Sequence, residues 1–201
     1  MQEIAVATSF DHAAIAGQSV YRSVMQAMAR PGTVHAVSLH VPAPDGLVPA
    51  AAALALTLFD HDTPVFLDAS LRATGTVADW LRFHAGCPLV RDGKQASFAL
   101  LESVRALGAL DDFASGTPDY PDRSTTIIVQ VDTLTEGPAL RLDGPGISGA
   151  AEMRVAPQPA DFVAQHAANH ALFPCGVDLV FAAGQELVAL PRTTRITIKR
   201  G

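Results

Sequence analysis

Lysine is nearly missing from this chain: Lys94 and Lys199 are the only two in 201 residues. A pyridoxal-dependent enzyme needs a lysine amine for its Schiff base. Lys94 lies in the turn Asp92-Gly93-Lys94 and Lys199 sits beside the carboxyl end, so such chemistry is not expected. Cysteine is equally sparse. Cys87 and Cys175 form no C-x-x-C, so neither a redox pair nor a zinc knuckle is spelled out. Cys87, in the run Cys87-Pro88-Leu89-Val90, reads as a buried and inert thiol. The chain has no G-K-[ST] phosphate loop, no G-x-S-x-G elbow and no H-E-x-x-H, which removes the commonest nucleotide, hydrolase and zinc signatures. No apolar run approaches the roughly 20 residues that span a bilayer; the longest, Val48 to Phe59, is largely alanine. Met1 to Phe10 carries Glu3 and no basic residue, so no signal peptide and a cytoplasmic location are expected. Positive charge is also short, with 14 Lys+Arg against 20 Asp+Glu. A nucleic-acid surface needs a basic face, and that balance argues against one.

Hydrophobic residues make up 49% of the chain and charged residues 17%, too apolar for disorder. The length fits one domain, 1–201, able to bury roughly 70% of its unfolded surface without disulfides or metal. Val20, Val24 and Met28, widened by Tyr21 and Met25, predict a helix over Asp11–Ala29, ended by Arg30-Pro31-Gly32. Thr33–Val41 alternates as a half-exposed strand. An alanine-rich helix follows over Pro49–Phe59, its small side chains suited to close packing on a sheet or a second chain. Val65-Phe66-Leu67, Leu89-Val90, Ser97–Leu101 and Ala139–Leu142 read as strands, and Val77–His84 and Pro159–Ala171 as helices. Thr125–Val131, nearly continuous in β-branched residues, predicts a central strand buried on both faces. Val177–Ala182 and Glu186–Leu190 flank Ala183-Gly184-Gln185 as a hairpin, and Arg195–Ile198 adds a last edge. The sum is a single α/β domain with a mixed sheet flanked by helices.

Several groups of residues could carry chemistry. Gly144-Pro145-Gly146-Ile147-Ser148-Gly149 matches G-x-G-x-x-G, and the strand Leu140-Arg141-Leu142 precedes it. The long helix of a dinucleotide fold does not follow, because Pro157 and Pro159 intervene. A glycine-rich turn is the favoured reading; a backbone nest holding a phosphate beside Arg141 is the other. His166 and His170, at i and i+4, could share a metal but lack an evident third ligand. Asp60, Asp62 and His84 could form an acid–base or metal site, or Asp62-Thr63-Pro64 could be a turn held by its side chains. Arg82 and His84 stand near a helix end, where the dipole favours cations. Arg192-Thr193-Thr194 offers a guanidinium and two hydroxyls that suit phosphate or phosphonate oxygens.

In this order, the segments resemble the PhnH family of the bacterial carbon–phosphorus lyase system, from about Phe10 to Ile198. The resemblance rests on Tyr21-Arg22 with Pro31-Gly32, Asp62-Thr63-Pro64-Val65, Leu81-Arg82-Phe83-His84 with Cys87-Pro88-Leu89, Gly116-Thr117 with Tyr120-Pro121, Gly144-Pro145-Gly146-Ile147, Phe173-Pro174 with Gly176-Val177-Asp178, and Pro191-Arg192-Thr193-Thr194. It implies a fold similar to the pyridoxal-phosphate-dependent transferases but without the cofactor. It implies a homodimer in isolation and a core complex with subunits G, I and J. It also implies a part in forming a ribose 1-alkylphosphonate 5-triphosphate from ATP and an alkylphosphonate. No cysteine cluster could hold the iron–sulfur centre of subunit J, so cleavage of the C–P bond belongs to that partner. Catalytic residues are not indicated. A ligand or anion site, for phosphonate or nucleotide, is expected from Asp62, Arg82, His84, Arg141, Arg192 and Thr193. Arg192→Ala is expected to abolish growth on an alkylphosphonate without unfolding the chain. A stand-alone enzyme built on Asp60, Asp62 and His84, and a purely architectural subunit, remain the other readings.

Overall fold

The computed structural model describes residues 2–38 and 41–199. Helix α1 (Gln2–Ala29) begins ahead of the predicted start and ends where the Arg30-Pro31-Gly32 turn stops it. Val20, Val24 and Ala27 are buried, Met28 is half-buried, and Tyr21 and Met25 stand exposed. The buried stripe is thus narrower than the sequence pattern suggested, because only one side of α1 meets the sheet. Of the strand expected over Thr33–Val41, β1 (His35–Ala36) is present; Leu39 and His40 lie outside the described residues.

Helix α2 (Pro49–Leu58) opens with proline at its first turn, where the missing N–H costs nothing. Six consecutive residues, Ala50 to Ala55, are buried. Six residues cover the full circumference of a helix, so α2 is enclosed all round by this chain's own elements. Its neighbours are α1, the fourth helix α4 (Thr76–His84), and the strands β5 (Thr126–Gln130) and β8 (Asp178–Ala183). The alanines therefore serve internal packing and leave no face for a second chain. A short helix not foreseen from the sequence, α3 (Ala69–Thr74), precedes α4. It is nucleated by Asp68, whose carboxylate accepts the Leu71 N–H at 2.9 Å.

The remaining strands are β2 (Val65–Leu67), β3 (Leu89–Val90), β4 (Phe98–Leu101), β6 (Leu140–Asp143), β7 (Ala151–Met153), β9 (Glu186–Leu190) and β10 (Arg195–Ile198), and the last helix is α5 (Phe162–Ala171). Seven strands form a sheet in the order β1-β9-β8-β5-β4-β2-β3. β3, β2, β4, β5 and β8 run parallel; β9 pairs antiparallel with both β8 and β1. The central strand β5 shows why its sequence is unbroken. Ile128 faces one core and Ile127 and Val129 the other, all fully buried, as the period-two pleat requires. Helices α1 to α4 cover the first face. The 104–113 segment and α5 cover the second.

One sheet was expected, and a second is found. β10-β6-β7 form a separate antiparallel sheet. β5 is already paired on both sides, by β4 and β8, so β6 has no place beside it. Leu140, Leu142, Met153 and Ile196 instead lay an apolar face against the second core.

Candidate functional site

The six candidate residues fall in three places. Asp62 and His84 belong to the amino-terminal edge of the large sheet, Asp62 in the turn into β2 and His84 at the end of α4 before β3. The turn is held by Asp60, whose carboxylate accepts the Thr63 hydroxyl at 2.6 Å and the Asp62 N–H at 3.0 Å. Those bonds, the hydroxyl first, hold the Asp60 carboxyl below the usual range. Asp62 is exposed, 3.3 Å from the equally exposed His61. Arg82 pairs with Asp79 at 2.7 Å on the outside of α4. The His84 ring packs on Trp80 and Phe83, with centroids 4.9 and 4.8 Å apart. Cys87, just beyond, is buried, and burial pushes its thiol pKa up, which keeps it protonated and unreactive.

Arg192 and Thr193 belong to the same edge, at the β8 end. From β2 to β8 there are three inter-strand steps of roughly 4.8 Å each, about 14 Å in all. Arg192 is itself committed. Its Nη2 lies 2.5 Å from the Asp178 carboxylate and its Nε 3.1 Å from it, and its backbone N–H donates to the same group at 2.7 Å. Its other donors reach the Pro121 carbonyl at 2.9 Å and the Ser124 hydroxyl at 2.5 Å. Arg192 and Asp178 side chains are 14% and 12% exposed. The guanidinium therefore ties β8 to the 121–124 segment, and its fork is occupied by the protein rather than offered to an anion. Arg141 is in the third place, on the exposed outer face of β6 opposite Glu152 and Thr197.

The glycine motif is the turn joining β6 to β7. Gly146 has φ +80°, and a Cβ there would collide with the Ala29 carbonyl oxygen. The glycine is required because the turn packs on the last residue of α1. That helix end carries partial negative charge, which opposes the phosphate nest weighed from the sequence. The histidines of α5 also separate. His170 Nδ1 lies 2.8 Å from the Arg192 carbonyl. His166 is fully buried, and neither ring nitrogen has a partner among the described residues. Burial first, then the neighbouring His170, lower its pKa to about 4, against an opposing pull from Asp178. Among the described residues no group of three or more His, Cys, Asp or Glu could hold a metal.

A cleft lies on the opposite edge, at the carboxyl ends of β4 and β5. It encloses about 360 Å³ and is lined by Val48, Glu102, Ser103, Gln130, Asp132 and Pro157 among others. Buried Gln130 shapes it: its amide accepts from the Val48 N–H at 2.5 Å and donates to the Gly46 carbonyl at 2.8 Å, fixing the start of α2. Asp68 does the same on the other side, accepting from Glu102 N–H at 2.6 Å. Ligands of open α/β sheets bind outside the carboxyl ends of the parallel strands, and a few hundred cubic ångströms is the size of a small-molecule site. Sequence reasoning passed over these residues. Their one signal was polarity, Gln130 and Asp68, directly after or within apolar strand runs.

Comparison with known proteins gives these features a context. Residues 8–197 match the family model described as bacterial phosphonate metabolism protein (PhnH). The chain is 41% identical over 179 residues to the alpha-D-ribose 1-methylphosphonate 5-triphosphate synthase subunit PhnH of Rhizobium meliloti (strain 1021), covering 89% of each chain. It is 31% identical over 188 residues, 90% of this chain and 86% of the other, to HtxG of Stutzerimonas stutzeri, named as a candidate C-P lyase subunit protein. A family match over nearly the whole length, with the Asp62, Arg82 and Gly144 segments all inside it, identifies this chain as a member of the PhnH family.

Proposed function

We propose that this chain works in phosphonate catabolism as one subunit of the assembly that joins ATP and an alkylphosphonate into a ribose 1-alkylphosphonate 5-triphosphate. The observation that carries this reading is the relative at 41% identity, matched over 89% of both chains, which is named as a subunit of the methylphosphonate synthase. The partners in this reading are subunits G, I and J, with a homodimer when the chain is alone and a cytoplasmic setting. No helix among the described residues is long and apolar enough to cross a membrane.

The reading includes the likeness to pyridoxal-phosphate-dependent transferases without the cofactor. A seven-stranded sheet with one reversed strand inside it, β9, supports that part. So does the engagement of both lysines: Lys94 donates to the Asp111 and Phe113 carbonyls and Lys199 pairs with Glu152 at 2.6 Å.

Within the assembly, the carboxyl-edge cleft is the part that faces phosphonate or nucleotide. The six residues named from the sequence do not share one place, and Arg192 acts on the frame. A strain lacking its own family member is expected to lose growth on methylphosphonate as sole phosphorus source and to regain it with this chain. Asp132→Lys, at an exposed cleft position, is expected to fail to restore growth at unchanged protein level. Restoration of growth by a strain carrying no copy at all would overturn the functional reading; full rescue by Asp132→Lys would overturn the cleft assignment alone.

A further inference from the structure

The second core opens to solvent at a pocket that the sequence did not announce. It lies between the 109–113 segment and α5, encloses about 380 Å³, and is lined chiefly by Ala109, Leu110, Phe113, Ala168 and Leu172. Its outer rim is apolar too. Leu172 is 50% exposed, and Phe173, next to it in the chain, is 62% exposed. An apolar pocket edged by exposed apolar side chains has the composition of a protein–protein anchor site.

The charge around the pocket says what kind of segment fits it. Asp111 lines it, and Asp112 accepts the N–H of the lining residue Ala109; both carboxylates are on exposed residues. Asp161, at the start of α5, adds a further exposed carboxylate on the stripe that runs through Gln165, Ala168 and Leu172. Lys94 lines the pocket, but its ammonium is held by the Asp111 and Phe113 carbonyls. An apolar hole in an acidic surround is complementary to an apolar anchor flanked by lysine or arginine.

We propose that this pocket receives a basic segment of a different subunit of the assembly, with one large apolar side chain seated against Leu172 and Phe113. The proposal rests on the reading of the chain as a subunit, and adds the surface and the chemistry of its partner. The contact is built on the short 109–113 turns and the end of α5. The exposed apolar side chains of α1, Ile15, Tyr21 and Met25, and Phe83 on α4 lie on elements of the other sheet face and are not part of it.

The test is co-purification of the tagged full chain, co-expressed with the other subunits. Leu172→Glu is compared with Met25→Glu and Phe83→Glu, all at exposed positions. Leu172→Glu is expected to reduce recovery of partner subunits at least tenfold with an unchanged melting temperature, while the other two recover partners fully. Recovery by the wild type is expected to fall several-fold between 50 and 300 mM salt, and an Asp111→Asn/Asp161→Asn double variant is expected to flatten that dependence. Undiminished recovery with Leu172→Glu overturns the proposal. So does loss of self-association by Leu172→Glu with partner recovery intact, which assigns the pocket to a second copy. Failure of the wild type to recover any partner overturns the subunit reading together with this one.

Discussion

At the scale of single residues, Arg192 shows how chemical type misleads without its surroundings. A guanidinium beside two threonines suits an oxyanion, yet here it is shared among Asp178, Ser124 and the Pro121 carbonyl. Removing one partner of a half-dry ion pair leaves the other charge unpaired, at a cost of about 3 kcal/mol or more. Arg192→Ala is therefore expected to lose activity by destabilising the fold, read as a lower denaturant midpoint and a melting temperature down by several degrees. A variant with wild-type stability and no activity would restore Arg192 to the anion site. His166 gives a pH dependence of known sign. The unfolded chain binds a proton on this residue near pH 6.5, and the folded chain only near 4. Stability from its burial is complete above pH 6.5 and is lost as pH falls towards 4, at most about 3 kcal/mol. Unfolding free energies at pH 7 and 4.5 are expected to differ less in His166→Leu than in the wild type. Equal pH dependence in the two would show that His166 is not kept neutral by the fold.

At the scale of elements, the period of the side chains carried most of the information. The pleat of β5 was legible because every residue from Ile127 to Val129 faces a core. The hairpin of β8 and β9 was legible because Gly184 interrupts two apolar runs. Three things were not. α3 is only six residues long and rests on one aspartate cap rather than on periodicity. β7 contains Glu152 at its centre, held by Arg154 and Lys199, and polarity masked it. The alanines of α2 carried two meanings, a subunit contact or an internal layer, and only the positions of α1 and the sheet decide between them. A layer this tight has no room for growth. Ala52→Leu, fully buried, is expected to cost about 1–3 kcal/mol through displaced neighbours, measured by urea unfolding. A neutral result would mean that α2 is looser than its burial indicates.

At the scale of the whole molecule, the candidate site was the least legible part. Asp62, His84, Arg141 and Arg192 are far apart in the chain, and nothing in their spacing reveals that the fold sends them to two separate points on one sheet edge and to a second sheet. The carboxyl-edge cleft is assembled from the ends of β4 and β5 and the start of α2, segments 28 to 84 positions apart joined by Gln130. Such a place exists only once strand order is known. Family membership, by contrast, was legible early, because it depends on many short segments in register rather than on any one contact.

Under the proposed function this chain is one component of a phosphonate-activating assembly, and product forms only when it is together with its partners. The most direct measurement is phosphorus NMR of ATP and methylphosphonate incubated with the purified chain, with its partner subunits, and with both. Ribose 1-methylphosphonate 5-triphosphate is expected only where chain and partners are together. Turnover by the isolated chain at an enzymatic rate would show that it needs no partners, and undiminished product from the partners without it would show that the chain is not a required component of the assembly.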